Sequence, residues 1–131
     1  NHALQVFPMR EVVFREVPPD EPKIATYKAK WDEAYRERWG LENLCAEGLE
    51  PAVVRHIESV CKRIYRLLTI DGYARLDLRL NAKNELWFIE ANPNPILAPD
   101  EDFAQSALKA GLTYPQLIDR IARLGLSTVR D

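Results

Sequence analysis

The sequence has few of the features that mark several large classes of protein. Only two of its 131 residues are cysteines, Cys45 and Cys61, and they form no CxxC pair with a nearby histidine that would complete a zinc site. A single disulfide between them stays open, but Cys61 lies in an apolar helical pattern, which favours a core position in a reducing, cytoplasmic protein. No apolar run approaches the roughly 18 residues that a membrane-spanning helix requires.

Glycine is also scarce, and positive charge has no excess over negative charge. The five glycines are isolated from one another, whereas a phosphate-binding loop needs clustered glycines so that backbone N–H groups can close on the anion. The 18 Lys and Arg residues are offset by 20 Asp and Glu residues, and the net charge of −2 gives no basic face for nucleic acid. Any nucleotide chemistry must therefore use other means, or a loop outside this chain.

What the chain does contain is an ordinary globular composition, with 47% hydrophobic residues, and we expect one domain with a modest core. The residue pattern predicts a β-strand over residues 4–17, a mixed stretch that can form a strand over residues 23–31, and a loop with short helical turns over residues 31–48.

Helical spacing of apolar residues begins at Pro51 and stops at Asp71-Gly72, which predicts one long helix. Two short helices are expected over residues 102–110 and 115–124, with Gly111 ending the first of them. With the hairpin described next, the predicted fold class is α+β, with a mainly antiparallel sheet and flanking helices.

Residues 74–92 predict a β-hairpin, with strict alternation on the first strand and a turn over residues 81–84. The apolar sets that would share the core face are Leu76, Leu78 and Leu80 on one strand and Trp87, Ile89 and Ala91 on the other. With these sets in the core and a loop over residues 82–85, the facing pairs are Arg79 with Phe88, Asp77 with Glu90, and Arg75 with Asn92.

The facing carboxylates of Asp77 and Glu90 would have their Cβ atoms about 5 Å apart, which is destabilising unless a cation lies between them. With the amide oxygen of Asn92 they form a hard-oxygen set that suits Mg²⁺, and Arg75 beside them could stabilise developing negative charge. Alternatively, both carboxylates are solvated and the neighbouring arginines neutralise them. The rigid segment from Asn92 to Pro95 favours the metal site, because functional residues often lie in loops held by a scaffold.

Three segments of the chain resemble the C-terminal part of the D-alanine–D-alanine ligase-like ATP-grasp proteins. They read GYARLD from Gly72, WFIEANPNP from Trp87 and AGLTYPQL from Ala110. Upstream, the segment IATYKAKW from Ile24 is similar to the Tyr-x-Ala-Lys segment of that family. The resemblance covers residues 6–124, and the spacing of Arg75, Asp77, Glu90 and Asn92 is more specific to the family than any single motif.

The resemblance implies an activity and a set of roles. In the family, ATP phosphorylates a substrate carboxylate, an amine attacks the acyl phosphate, and an amide or peptide bond forms with release of ADP and phosphate. The implied metal ligands for two Mg²⁺ ions, which Mn²⁺ can replace, are Asp77, Glu90 and Asn92, with Glu90 bridging the ions. Arg75 would stabilise the oxyanion and the transferred phosphoryl group, and Lys30 would contact the terminal phosphate of ATP, although a solvated lysine is the alternative. The implied partners are ATP and a small amino-acid-like carboxylate and amine, with no nucleic acid or membrane.

The chain departs from the family after the implied metal ligand Asn92. The D-alanine ligases typically have Thr-Ser-Pro-Gly there, whereas this chain has Pro-Asn-Pro-Ile, and the N–H of Ile96 could still serve in an oxyanion hole. The counterpart of a substrate-holding serine is Glu101, followed by Asp102, and such an acidic pair would suit an amine rather than a carboxylate. Alternatively, these acidic residues only cap the next helix and complement its dipole.

Family members also carry a substrate domain and a nucleotide lobe that are not in this sequence. We therefore expect residues 1–131 to form a single domain, the C-terminal ATP-grasp portion of a longer ligase, which would be inactive on its own. The alternative is a non-catalytic metal- or nucleotide-binding module derived from the same fold.

Overall fold

The computed structural model describes residues 3–128, apart from the side chains of Tyr27 and Thr128. The fold is α+β, with two separate two-stranded antiparallel sheets. Its elements in chain order are β1 (Arg10–Phe14), α1 (Tyr27–Trp31), α2 (Glu33–Arg38), β2 (Leu41–Cys45), α3 (Pro51–Leu67), β3 (Arg75–Leu80), β4 (Leu86–Asn92), α4 (Asp102–Lys109) and α5 (Tyr114–Thr128). They form two compact units: the small unit, Met9–Glu47, and the hairpin unit, which comprises the described residues before Met9 and after Glu47.

In the small unit, β1 pairs with β2, from Arg10 opposite Cys45 to Phe14 opposite Leu41. The strand predicted over residues 4–17 is thus too long, because β1 has a pairing partner only along the five residues of β2. Beyond the pair, the N–H of Arg15 donates to the carbonyl of Gly40 at 3.1 Å. Gly40 has a φ of 57°, and a Cβ there would lie 3.1 Å from the Cβ of Arg15, so the close return of the chain requires glycine.

The loop with short helical turns predicted over residues 31–48 is right in its helical part, the six-residue α2, but wrong where the chain forms the strand β2. Sequence alternation failed to reveal β2 since its polar Asn43 lies on the less exposed side while Leu44 is exposed. Asn43 is satisfied there: its Oδ1 accepts from Arg36 at 3.1 Å, and its carbonyl accepts from Arg10 at 2.6 Å. The mixed stretch before it forms the short helix α1 rather than a strand.

The helices of the hairpin unit lie where the sequence pattern predicted them, but α3 ends earlier, at Leu67, and α5 continues past the predicted end at residue 124. Helix α3 begins at Pro51 and turns Ile57 and Cys61 into the interior. Burial, and secondarily the charge of Glu58, raises the pKa of the Cys61 thiol, and both cysteines are free thiols. Helices α4 and α5 enclose a small buried cluster, with further apolar residues packed around it; its members are Ala104, Ala107 and Leu117, and those around it are Phe7, Phe103, Leu112 and Ile121.

The hairpin has two of the three predicted facing pairs. Arg75 lies opposite Asn92 and Asp77 opposite Glu90. The pairing of Arg79 with Phe88 is wrong: Leu78 pairs with Phe88 and Arg79 with Trp87, because Ile89 is an extra residue in β4 and forms a β-bulge.

The turn of the hairpin shifts the strand pairing by one residue, and the bulge at Ile89 shifts it back. Leu80 pairs with Leu86, so the loop has five residues, not the four predicted. The side-chain oxygen of Asn81 accepts from the N–H groups of Lys83 and Glu85, both at 2.9 Å, and thereby closes the longer loop.

The expected core face of β4 is wrong in part. Trp87 and Ile89 are 51% and 62% exposed, whereas Ala91 and the leucines of β3 are half-buried. The bulge interrupts the alternation that placed both large residues on one face with Ala91. Within residues 3–128, none of the helices combines the length and the apolar character that crossing a membrane requires.

Candidate metal and phosphate site

One face of the hairpin brings Arg75, Asp77, Glu90 and Asn92 together. Because two facing pairs lie one pleat apart, their side chains emerge on the same side of the strands. The guanidinium of Arg75 holds Asp77 in a two-pronged ion pair, with Nε 2.8 Å from Oδ1 and Nη2 3.1 Å from Oδ2. The same Nη2 lies 3.7 Å from Oε1 of Glu90, so one cation spans both carboxylates.

The electrostatics of this face are dominated by carboxylates. The hydrogen bond with Asp77 raises the pKa of Arg75, against the opposing effect of burial, and the charges of Asp77, Glu90 and Asp102 raise it further. Three carboxylates and one guanidinium leave a formal charge of −2 among these four groups. Further positive charge would therefore be stabilised beside these four groups.

The loop after β4 orients Asn92. Its side-chain Oδ1 accepts a hydrogen bond from the N–H of Asn94 at 2.9 Å. Pro95 is buried and thereby anchors the end of the short loop. The amide oxygen of Asn92 thus has a fixed direction, and its second lone pair stays open to a ligand.

The donor chemistry of this face fits a hard divalent cation. Asp77, Glu90 and Asn92 supply oxygen donors from two neighbouring strands, which Mg²⁺ prefers, and it completes its shell with water or phosphate oxygens. Within residues 3–128, no group of three or more His, Cys, Asp and Glu residues could hold a metal ion, and this set has only two carboxylates. Both oxygens of Asp77 are engaged by Arg75, so a cation here would compete with the guanidinium for that carboxylate.

The remaining predicted residues occupy three other places. Ile96 is 51% exposed in the loop after Asn92. Glu101 is the N-cap residue of α4 but its side chain makes no capping hydrogen bond, while Asp102 lies in the first turn, where a negative charge complements the helix dipole. Lys30 is exposed in the last turn of α1, in the small unit.

Sequence reasoning missed Tyr73. Its hydroxyl donates to Oδ1 of Asn94 at 3.3 Å, and its ring packs edge-on against Phe103, with 5.4 Å between ring centroids. The signal was present in the register of the hairpin, since Tyr73 and Asn94 lie two residues beyond the facing pair of Arg75 and Asn92.

A carboxylate-rich face with a bridging guanidinium and an oriented amide oxygen, carried on an α+β chain, defines a candidate cation-binding protein. The family model described as D-ala D-ala ligase C-terminus matches residues 1–123, and the chain belongs to this family. A D-alanine–D-alanine ligase of Nitratidesulfovibrio vulgaris (strain DP4) is 35% identical over 88 residues, covering 67% of this chain and 29% of the relative. Another, of Desulfotalea psychrophila, is 26% identical over 126 residues, covering 96% of this chain and 36% of the relative. The chain therefore spans about a third of the length of these curated relatives.

Proposed function

We propose that this chain is the C-terminal ATP-grasp portion of an ATP- and Mg²⁺-dependent carboxylate–amine ligase of the D-alanine–D-alanine ligase type. The observation that carries the proposal is the facing pair of Asp77 and Glu90 under the guanidinium of Arg75. It receives support from the family match and from relatives whose names state ligase activity. The free thiols of Cys45 and Cys61 are compatible with a cytoplasmic enzyme.

In the proposed reaction, the terminal phosphoryl group of ATP passes to an oxygen of the acid substrate, and ADP leaves. The nitrogen lone pair of the amine then forms the C–N bond, phosphate departs with the electrons of the C–O bond, and the amine releases its proton. Both steps concentrate negative charge on oxygens, so the enzyme must supply positive charge and positioning rather than covalent help.

The hairpin residues have separate roles in this scheme. Asp77, Glu90 and Asn92 would hold two Mg²⁺ ions, with Glu90 as the bridge, and the bound metal would neutralise phosphate charge. Arg75 would donate to the oxyanion and to the transferred phosphoryl group, for which its fork of N–H groups is suited.

Residues outside the hairpin would position ATP and the substrates. Lys30 would contact the terminal phosphate as a point charge, and the N–H of Ile96 would donate in the oxyanion hole. Glu101 and Asp102, at the start of α4, would favour the amine-bearing substrate, since their charge repels a carboxylate.

The test is ADP formation by the longer ligase to which we assign this chain, with mixtures of amino acids as substrates. Glu90→Gln keeps the shape of the side chain but loses the charge that bridges the metals, and we expect at least about a hundredfold loss of rate. The matched control is Glu42→Gln, which breaks the exposed ion pair with Arg15 at 2.6 Å in the small unit and should leave the rate unchanged.

Equal ADP formation by the wild-type protein and Glu90→Gln would refute the proposal. A non-catalytic module would bind Mg²⁺ through Glu90 and yet form no ADP in the longer protein. The 131-residue chain alone should bind Mg²⁺ weakly without turnover, and robust ADP formation by it would contradict its assignment as one part of the enzyme.

A further inference from the structure

We propose that Tyr73 is a positioning residue that acts through Asn94 to fix the amide oxygen of Asn92 in the direction of the metal site. The inference rests on the proposed function for its metal, but its hydrogen-bond chain is testable without any metal. None of the segments that carry the family resemblance gives Tyr73 a role in the site.

The first step is the register of the hairpin. Arg75 lies opposite Asn92. Tyr73 precedes Arg75 by two residues and Asn94 follows Asn92 by two, so the two residues lie next to each other beyond the ends of both strands. Their contact is a hydrogen bond of 3.3 Å from the hydroxyl of Tyr73 to Oδ1 of Asn94. The candidate site therefore comprises two facing pairs, followed beyond the strand ends by the hydrogen-bonded contact of Tyr73 with Asn94.

The second step is the bond from Asn94 to Asn92. The N–H of Asn94 donates to Oδ1 of Asn92 at 2.9 Å. If the side-chain amide of Asn92 were rotated by 180°, its NH₂ group would face this N–H, and because both are donors the hydrogen bond would be lost. Pro93 and Pro95 flank Asn94 and have no N–H, which leaves Asn94 as the sole backbone donor of residues 93–95. The orientation of Asn92 thus depends on where Asn94 is held.

The third step is the anchor of Tyr73 itself. Its ring meets Phe103 edge-on at 61°, and Phe103 meets Phe7 in the same way, with 5.7 Å between the ring centroids. Both phenylalanines pack on the buried cluster between α4 and α5. The ring is therefore held by the core of the hairpin unit, and only the hydroxyl reaches the loop, so a substitution can separate the two roles.

The experiment uses Tyr73→Phe, which keeps the ring against Phe103, Asn94→Ala, which keeps the backbone N–H, and the double variant of the 131-residue chain. The first readout is amide hydrogen exchange at Asn94, which we expect to rise several-fold in Tyr73→Phe. The matched amide is Glu85 at the other end of the hairpin, whose N–H also donates to a side-chain amide oxygen at 2.9 Å and should not change.

The second readout is the dissociation constant of Mn²⁺ by calorimetry. Each single variant should raise it about three- to tenfold, and the double variant should raise it no further, because both changes break one chain of contacts. Tyr35→Phe in the small unit is the matched control for loss of a phenolic hydroxyl and should leave Mn²⁺ affinity unchanged.

Unchanged exchange at Asn94 in Tyr73→Phe overturns the inference, whatever the metal does. Additive effects of the two single variants on Mn²⁺ affinity overturn it as well. If Glu90→Gln weakens Mn²⁺ binding but Tyr73→Phe does not, the positioning role fails and the metal site stands. If Glu90→Gln has no effect on Mn²⁺, the proposed function fails, and the exchange at Asn94 alone decides the role of Tyr73.

Discussion

Replacing Arg75 by methionine should have opposite effects on the stability of the chain and on its affinity for Mg²⁺. Methionine keeps an apolar stem in place of the arginine chain and removes the cation that spans Asp77 and Glu90. The side chains of Arg75 and Asp77 are 34% and 31% exposed, so this ion pair is neither fully exposed to solvent nor buried. Without metal, we therefore expect Arg75→Met to lower the free energy of unfolding by about 1–2 kcal/mol.

The affinity for Mg²⁺ should rise, because the guanidinium both occupies Asp77 and repels the ion. A unit charge about 5 Å from a divalent ion costs about 1.7 kcal/mol in water, and screening at physiological salt, with a Debye length of about 8 Å, reduces this to about 0.9 kcal/mol. That corresponds to a dissociation constant about fivefold lower in Arg75→Met, and about tenfold lower at 0.01 M salt, where screening is weaker.

Calorimetric titration of the 131-residue chain with Mg²⁺ at both salt concentrations measures the effect. Arg123→Met is the matched control, since it breaks an exposed Arg–Asp pair of 2.7 Å on α5 and should leave Mg²⁺ affinity unchanged. An unchanged or weaker affinity in Arg75→Met would refute the reasoning, because the ion would then not lie beside this guanidinium.

Two further predictions concern the fold. Burial, aided by the charge of Glu58, raises the pKa of Cys61, so its contribution to stability is complete below the usual thiol pKa of about 8.5 and is lost as the pH rises through the folded value. Urea unfolding from pH 7.5 to 10 should show a smaller decline with pH in Cys61→Ala, and parallel declines would contradict the burial of this thiol. Asn81→Ala should cost about 1 kcal/mol in urea unfolding, because the N–H groups of Lys83 and Glu85 lose their acceptor. Lys83→Ala is the control, and equal stability of the two variants would show that Asn81 does not hold the turn.

Elements with strong local signals could be predicted from the sequence. Helix α3 was predictable because Pro51 suits a helix start and the apolar stripe through Ile57 and Cys61 is regular. The helices on either side of Gly111 were predictable because glycine commonly ends a helix, and its φ of 92° is in the region that favours glycine; the length of α5 was underestimated.

Two of the three facing pairs of the hairpin were predicted correctly, although the loop length and the bulge were not predicted. The loop has one residue more than expected, because Asn81 closes it through its side chain, and the bulge at Ile89 shifts the pairing back. The two shifts cancel before Asp77, so its pairing with Glu90 is as predicted. The run of apolar residues from Leu86 to Ile89 gives no alternation that could reveal a bulge.

The strand β2 and its pairing with β1 in the small unit could not be predicted, because they depend on tertiary contacts. The strand β2 has a polar residue on its less exposed side, and Arg36 makes that tolerable by donating to Asn43 and, at 2.5 Å, to the carbonyl of Ala29. Such bonds join residues seven positions apart and leave no periodic trace in the sequence. The contact of Tyr73 with Asn94, 21 residues away, was missed although the register of the hairpin places the two residues side by side.

The most direct test of the central claim is a titration of the ¹⁵N-labelled 131-residue chain with Mn²⁺, observed by NMR. Paramagnetic broadening depends steeply on distance, so the residues nearest the ion lose their signals first. If the carboxylate face is the metal site, the amides of Arg75, Asp77, Glu90 and Asn92 should disappear first, and Glu90→Gln should suppress the effect. Broadening that begins elsewhere, for example around the exposed Asp119 of α5, or that persists unchanged in Glu90→Gln, would contradict the claim.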